Sequence, residues 1–417
     1  MKLPELLSPA GDLERLITAV NYGADAVYIG GGQYSLRANA RNFDTHEMEA
    51  GLRYAHERGR KVYVTANIFA DDADLDGMAP FFRHLYEMGA DAAIVSDPGV
   101  FALARAAAPK LPLHISTQAN TTNSRAVSFW HEQGAARVIL ARELSLEQVA
   151  DIGRRAPKAE TEVFVHGAMC ISMSGRCLLS NYMTAQKAAH TRVRDANKGD
   201  CSQPCRWKYS LTEETRLGEH MPVYEDDRGT YIYNSKDLCL VEFIPELVRA
   251  GVSGLKIEGR MKTPYYVAVT TKAYRTALDS YAADPEGYAA NSAVYARELE
   301  KASHRGFTTG FAVARPDAGQ QVYGSSSYIR THEFMGVVLD YDTERGVAVV
   351  EQRGKFSVGD VLEAFPQVGE GWSFTVGEMF DADGLAVASA PHPKQVLHLP
   401  TPRPLRKYDI LRREVTS

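Results

Sequence analysis

The sequence predicts an α/β protein: a (β/α)8 barrel of the TIM type with a cysteine-bearing insertion, followed by a small all-β barrel domain. Three observations support this fold class. Over residues 1–260, short apolar runs alternate with segments of helical spacing. Residues 168–240 interrupt this repeat and hold all five cysteines. From about residue 330, short alternating runs separated by turn residues replace the helical spacing.

Eight apolar runs that end in small or polar residues are typical of buried parallel strands. They cover residues 4–11, 25–31, 61–67, 91–97, 112–118, 137–143, 161–167 and 254–260. Glycines such as that in "NYGAD" (21–25) mark the ends of the intervening helices. Eight strand–helix units favour a closed barrel over the alternative, an open doubly wound sheet. No strand leads into a complete G-x-G-x-x-G turn, and "GGGQYS" at 30–35 is only a weak glycine loop.

The domain boundaries follow from these patterns. We expect a catalytic barrel over residues 1–325, with its insertion at 168–240, and a β-barrel domain over 330–417. The net charge of −5 means that a nucleic acid would have to bind at a local basic patch. No apolar run approaches the roughly 20 residues of a membrane-spanning helix, and the N-terminal residues do not resemble a signal peptide. We therefore expect a cytoplasmic protein that binds no membrane.

Polar residues end the predicted strands, and in a parallel barrel these ends meet at one mouth, where active sites lie. In chain order they are Ser8, Gly30, Asn67, Asp97, Gln118, Glu143, His166 and Glu258, with Arg142 and Arg260 beside two of them. The two arginines suit a ligand that carries carboxylates, because a guanidinium group binds a carboxylate through two hydrogen bonds. His166 suits either acid–base chemistry or a structural hydrogen bond.

The cysteines leave several chemistries open. Cys170 and Cys177 follow the seventh strand, whereas Cys201, Cys205 and Cys239 lie further along the insertion. A thiol nucleophile would need a partner such as His166 beside Cys170, and a zinc site would need tight spacing, which only Cys201 and Cys205 have. An iron–sulfur cluster tolerates irregular spacing. Buried, unreactive thiols remain the fourth possibility.

Several segments resemble a known family. "EVFVHGAMCISMSGRCLLS" (162–180), "LLSPAG" (6–11), "GADAVYIGG" (23–31), "KIEGRMK" (256–262) and "RGFTTGF" (305–311) are similar to the collagenase-like peptidases of unknown catalytic type, family 32. The resemblance spans nearly the whole chain and is strongest to the tRNA hydroxylation branch. It implies an enzyme that forms 5-hydroxyuridine at the wobble position of tRNA without molecular oxygen. It also implies a 4Fe-4S iron–sulfur cluster and prephenate as co-substrate.

The resemblance also implies site residues. Cys170, Cys177 and Cys201 match the cluster motif; Cys205 is favoured as the fourth ligand, with Cys239 in reserve. The strand-end residues expected to act in catalysis are Gln118, Glu143, His166 and Glu258. For prephenate, which carries two carboxylates, the expected substrate-binding residues are Asn67, Arg142, Arg176, Lys256 and Arg260.

A tRNA substrate requires a local basic surface, and residues 187–209 provide a candidate. Its basic residues are Lys187, Arg192, Arg194, Lys198, Arg206 and Lys208. Trp207 and Tyr209 lie between them and could stack on an unpaired base; a solvated charged loop is the alternative. Two other functions stay open: a collagenase-like peptidase, and a non-catalytic RNA-binding protein with structural zinc. Neither an H-E-x-x-H nor a G-x-S-x-G motif supports the peptidase.

Overall fold

The first part of the chain is a closed barrel of eight parallel strands. The computed structural model describes residues 2–35, 42–170, 172–185, 194–206, 210–211, 221–222, 235–314 and 328–415. The barrel strands are β1 (Glu5–Pro9), β2 (Ala26–Gly30), β3 (Lys61–Ala66), β4 (Ala92–Val95), β5 (Leu113–Ile115), β6 (Arg137–Ile139), β7 (Glu160–Ala168) and β11 (Gly254–Ile257). Neighbours pair in parallel, and β11 pairs with both β7 and β1. The closed-barrel prediction is confirmed, and the open sheet is excluded.

Helices follow the strands, as the repeat predicts. They are α1 (Leu13–Asn21), α2 (Thr45–His56), α3 (Asp72–Leu75), α4 (Met78–Glu87), α5 (Pro98–Ala107), α6 (Ser124–Glu132), α7 (Leu146–Arg155), α8 (Leu179–Ala185), α9 (Ile244–Arg249), α10 (Pro264–Ala283) and α11 (Tyr288–Leu299). Polar side chains cap several N-termini: Asp12 accepts from the amide at the start of α1, and Asp97 does the same for α5. Among the described residues, no helix has both the length and the apolar character needed to cross a membrane.

Charged side chains fill the lower half of the barrel. Arg137 is buried and donates to Glu5 at 2.6 Å and to Glu162 at 3.2 Å. Lys256 reaches the same Glu162 at 3.3 Å, and both residues are buried. Each buried charge in this network has a partner of opposite sign, which offsets the cost of its burial. Lys256 also borders the cavity at the C-terminal ends of the strands.

The insertion between β7 and β11 folds over that open end. Short 3-10 turns at Met173–Gly175 and Ala196–Lys198 lie between its cysteines, and a third turn, Pro204–Arg206, contains Cys205. A two-stranded pairing joins β8 (Ser210–Leu211) to β9 (Met221–Pro222). The chain then returns as β10 (Asp237–Cys239), which pairs antiparallel to the end of β7 and parallel to β12 (Phe307–Thr308). The insertion thus starts and ends on the same barrel strand.

The C-terminal part is an antiparallel β half-barrel. Its main sheet has the order β17 (Trp372–Thr375), β16 (Val361–Phe365), β21 (Ile410–Glu414), β13 (His332–Asp342), β14 (Val347–Gln352), β20 (Val396–Pro400) and β18 (Phe380–Asp381). A second pair joins β15 (Phe356–Ser357) to β19 (Ser389–Ala390). The half-barrel encloses its own apolar core and packs on the barrel helices, where Tyr22, the residue that follows α1, donates to the Phe365 carbonyl at 2.8 Å.

Candidate active site

Two neighbouring cavities lie at the C-terminal ends of the barrel strands. The first, here called the mouth cavity, measures about 60 Å³ and includes six of the predicted site residues: Asn67, Gln118, Arg142, Lys256, Glu258 and Arg260. The second, here called the cysteine cavity, measures about 320 Å³ and lies under the insertion. The two share Thr117, Gln118, Arg142 and Glu258 in their walls. The arrangement is therefore one site with an inner and an outer part.

The cysteine cavity is lined by four thiols: Cys170, Cys177, Cys201 and Cys205. Cys177 is buried and Cys201 and Cys205 are half-buried. The chain packed around the Cys170 thiol keeps water from it and raises its pKa, although the residue as a whole is exposed. The neighbouring thiols of Cys177 and Cys201 raise this pKa further, by less than burial does. The structure thus brings together cysteines that are up to 35 positions apart in the sequence.

Cys239 lies elsewhere. Its sulfur is 3.9 Å from the Tyr274 hydroxyl of α10. Cys239 does not line the cysteine cavity. Burial raises the pKa of this thiol to about 11. Its place among packed side chains is that of a core cysteine.

Within the described residues, no three His, Cys, Asp or Glu side chains are close enough to share a single metal ion. Tetrahedral zinc with Zn–S bonds of roughly 2.3 Å would hold its sulfurs about 3.8 Å apart. The thiols of a 4Fe-4S cluster each bind a different iron, so their sulfurs stand further apart. The four thiols of one cavity are a donor set of the kind that such a cluster uses.

Glu143 fixes the segment that carries Cys170 and Cys177, here called the first cysteine segment. Its carboxylate accepts hydrogen bonds from the Ser174 amide at 2.7 Å and from the Ser174 hydroxyl at 3.1 Å. Ser174 has φ 48°, a left-handed conformation that is unfavourable for a residue with a side chain. Glu143 lines neither cavity among the residues described. Its position supports a role in fixing the loop, not the acid–base role that the sequence predicts.

The segment that carries Cys201 and Cys205, here called the second cysteine segment, is held by residues predicted to bind RNA. Arg194 donates to Asp200 at 2.8 Å and to the Cys201 carbonyl at 3.1 Å. Lys198 pairs with Asp71 at 3.0 Å and also with Asp74. Both cations are therefore engaged within the chain and stabilise the segment. Of the remaining predicted RNA-binding residues, Lys187, Arg192, Lys208 and the Arg206 side chain lie outside what the structure describes.

Three cations line the mouth cavity, and their partners differ. Buried Arg260 donates to Ser35 at 2.6 Å and to Asn42 at 2.7 Å; Lys256 pairs with Glu162. Arg142 donates to the Ala168 carbonyl at 2.7 Å, lies over the Phe164 ring at 4.0 Å and is 3.7 Å from Glu258.

The Nε of Arg142 is buried with no partner among the described residues. This nitrogen gives Arg142 hydrogen-bonding capacity for a ligand.

Arg176 stands at the outer edge, not in the mouth. The residue is exposed, its Nε donates to the Gln118 carbonyl at 3.0 Å, and its guanidinium lies 4.6 Å from the centre of the Phe69 ring. Asn67 does line the mouth cavity and donates to Ser116 at 3.3 Å.

His166 is turned away from both cavities. Strand alternation would aim it inward with Phe164, but the register between β7 and β11 shifts at Lys256 and Ile257. This bulge turns the imidazole toward α10, where it lies 5.6 Å from the Tyr274 ring. Burial, followed by nearby Lys262, lowers the pKa of His166 to about 3. The position supports neither the predicted acid–base role nor the pairing with Cys170 that the sequence left open.

Other strand-end residues also serve the fold. The Ser8 hydroxyl bonds to Thr271 of α10, and Asp97 caps α5. Gly30 leaves space for Arg260, since a β-carbon there would lie 2.3 Å from the guanidinium.

The sequence did not predict every residue of the site. Lys262 and Tyr328 line the cysteine cavity, and the Lys262 ammonium lies 3.9 Å from the Tyr328 ring. Burial lowers the pKa of Lys262. The "KIEGRMK" segment contains Lys262, so its position after the eighth strand was the available signal. No comparable signal existed for Tyr328, which lies between the two predicted domains.

Comparison with known proteins shows the family. The model of peptidase family U32 matches residues 11–322, and the model of the U32 C-terminal domain matches residues 330–412. The chain belongs to peptidase family U32. The family resemblance predicted from the sequence is thereby confirmed.

Three curated relatives illustrate the likeness. The chain is 40% identical over 396 residues to tRNA hydroxylation protein P1 of Bacillus subtilis, covering 95% of this chain and 91% of that one. It is 38% identical to tRNA hydroxylation protein P of Escherichia coli, covering 99% and 97% of the two chains. It is also 36% identical to an Escherichia coli 23S rRNA 5-hydroxycytidine synthase, covering 75% of this chain and 45% of that one. The names of these three relatives describe RNA hydroxylation.

Proposed function

We propose that this chain hydroxylates tRNA, forming 5-hydroxyuridine at the wobble position without molecular oxygen. The observation that carries the proposal is the site itself: four thiols line a cavity that shares a wall with a second, cation-lined cavity at the barrel mouth. Near end-to-end similarity to tRNA hydroxylation proteins supports the RNA substrate. A wobble uridine lies in a single-stranded loop and can leave its stack at little cost.

Cys170, Cys177, Cys201 and Cys205 are the residues that would hold a 4Fe-4S cluster. The fit rests on the donor set, since these thiols line one cavity and Cys239 packs elsewhere. When bound, the cluster would supply one-electron redox chemistry. The loop contacts made by Glu143 and Arg194 then serve to fix the cysteine segments. This assignment makes Cys205, and not Cys239, the fourth ligand.

Prephenate is the proposed co-substrate. Hydroxylation replaces the hydrogen on carbon 5 of uracil by a hydroxyl group and removes two electrons from the base. Prephenate would give up its ring hydroxyl by breaking that carbon–oxygen bond, and would take up the hydrogen and the two electrons in exchange. Arg142 has an unpartnered Nε and borders both cavities, which suits it to bind one carboxylate. Lys256 and Arg260 add positive charge deeper in the mouth and favour the same anion.

The fourth-ligand assignment provides the test. Wild-type protein and the Cys205→Ser and Cys239→Ser variants are purified without oxygen, and iron and acid-labile sulfide are measured. We expect Cys205→Ser to lose most of its iron, whereas the matched control Cys239→Ser keeps the wild-type content. Equal iron content in both variants would remove Cys205 from the ligand set.

The reaction is tested separately, with unmodified tRNA, prephenate and wild-type protein, followed by mass analysis of the nucleosides. We expect 5-hydroxyuridine to form only when prephenate is present. A protein that holds iron and sulfide but leaves uridine unchanged would reject the reaction and keep the cluster.

A further inference from the structure

Gln118 lies where the two cavities meet. It follows β5 in a short 3-10 turn, Thr117–Ala119, and its side chain borders both the mouth cavity and the cysteine cavity. Only 9% of the residue is exposed. A ligand that extends from one cavity into the other therefore comes within reach of Gln118.

The side-chain oxygen of Gln118 has no hydrogen-bond partner among the residues that the structure describes. A buried carbonyl oxygen without a donor is destabilising, because it has lost water and gained nothing in return. Leucine has nearly the same size and would avoid this cost. A ligand that brings a hydrogen-bond donor to this oxygen would also remove the cost, so the position is built to accept from a bound molecule.

The turn is constructed so that this carboxamide is fixed. A β-carbon on Gly175 would lie 2.8 Å from the Gln118 nitrogen, so Gly175 packs directly against the amide group. Gly175 also has φ +81°, which glycine adopts without strain. The Gln118 side chain is thus packed against Gly175 of the first cysteine segment.

The same residue holds the outer edge of the site. The Gln118 carbonyl accepts from exposed Arg176, whose guanidinium lies over the Phe69 ring, 4.6 Å from its centre. A planar guanidinium on an aromatic ring is a surface on which an unpaired base can stack. A base that enters past Arg176 comes next to the Gln118 carboxamide.

We propose that Gln118 selects the target base by accepting the ring imide N–H of uracil. This inference rests on the proposed function, because it assumes a uridine substrate. The imide N–H is the hydrogen-bond donor of neutral uracil, and an amide oxygen is its complement. A carboxylate would be repelled at this point and is better placed beside Arg142. Gln118 is therefore a specificity residue for the base, and Arg142 serves the anion.

The test compares two RNA stem–loops that carry either uridine or 3-methyluridine at the target position. The methyl group replaces the imide hydrogen. Binding to the anaerobically purified full chain is followed by fluorescence anisotropy, with thermal unfolding measured in parallel. The variants are Gln118→Leu and a matched control, Gln352→Leu, which changes a buried glutamine of β14 whose side-chain oxygen also lacks a described partner.

We expect wild-type protein to bind the uridine loop about 10-fold more tightly than the methylated loop, from the loss of one hydrogen bond to a buried acceptor. Gln118→Leu should bind both loops equally while unfolding no earlier than wild type, because it removes an unpaired buried oxygen. Gln352→Leu should keep the wild-type preference. If Gln118→Leu fails to fold, Gln118→Asn withdraws the oxygen by one methylene and should likewise lose the preference.

The opposite results would overturn the inference. One such result is that wild-type protein binds the uridine and 3-methyluridine loops equally, or binds neither. The other is that a Gln118 variant keeps the full wild-type preference for the uridine loop. A wild-type protein that prefers the uridine loop but forms no 5-hydroxyuridine would reject the proposed reaction and leave Gln118 as the base-selecting residue.

Discussion

Replacing Glu143 should release the first cysteine segment from the barrel. In Glu143→Ala, Ser174 loses two hydrogen bonds to a carboxylate, at 2.7 and 3.1 Å. Bonds to a charged group contribute about 1.5–3 kcal/mol each. Because Glu143 is half-buried, water replaces part of the lost hydrogen bonding. We therefore expect the free energy of local opening at Ser174 to fall by about 2 kcal/mol. That corresponds to roughly a 30-fold increase in local opening.

Hydrogen exchange of the segment that contains Ser174 measures this opening directly. The amide of Ser174 donates to Glu143, so its exchange should accelerate by the same roughly 30-fold factor in Glu143→Ala. Iron content should fall in parallel if Cys170 and Cys177 bind a cluster. Glu143→Gln keeps an acceptor oxygen and should restore most of the protection.

Glu147 provides the matched control, because it is an exposed carboxylate in the first turn of α7. Glu147→Ala should leave exchange at Ser174 unchanged. The reasoning is refuted if Glu143→Ala exchanges within about threefold of wild type at this amide, since the two bonds would then not hold the loop.

Two further predictions concern stability. Because the pKa of His166 is depressed to about 3, its contribution is complete above the unfolded value and declines as the pH falls below about 6.5. Between pH 7.5 and pH 5, the unfolding free energy of His166→Phe should therefore fall by about 2 kcal/mol less than that of wild type, as measured by denaturant titration. An equal fall in both proteins would contradict this prediction. Arg412→Met leaves Glu298 and Glu363 without their buried partner. It should lower the unfolding free energy by about 3 kcal/mol in the same assay. An unchanged denaturation midpoint would show that the Arg412–Glu298 ion pair does not join the two domains.

The barrel could be predicted because its strands are short-range features. The β2 segment Ala26–Gly30 is apolar and buried throughout, as expected for a strand covered by helices on one side and by the barrel interior on the other. The glycines that end the helices carry the same kind of local information: Gly23 and Gly134 both have positive φ, which glycine adopts freely. The cysteine positions beyond β7 also followed from the sequence.

The site was less predictable, because side-chain direction and charge pairing depend on distant residues. The bulge that turns His166 outward arises where β7 meets β11, about 90 residues later in the chain. Lys198 belongs to a basic run, yet its partners Asp71 and Asp74 lie more than 120 residues earlier. A charge pattern alone does not reveal such partners.

The sequence by itself determined the alternation of strands and helices, the β-rich C-terminal part and the segments that carry thiols. These follow from propensities and apolar spacing, which act between residues a few positions apart. Only the tertiary structure decided that Cys205 shares a cavity with Cys170 while Cys239 does not, and that Gln118 lies between the two cavities. Packing between distant segments sets those positions, because each side chain goes where its neighbours in space leave room and supply partners.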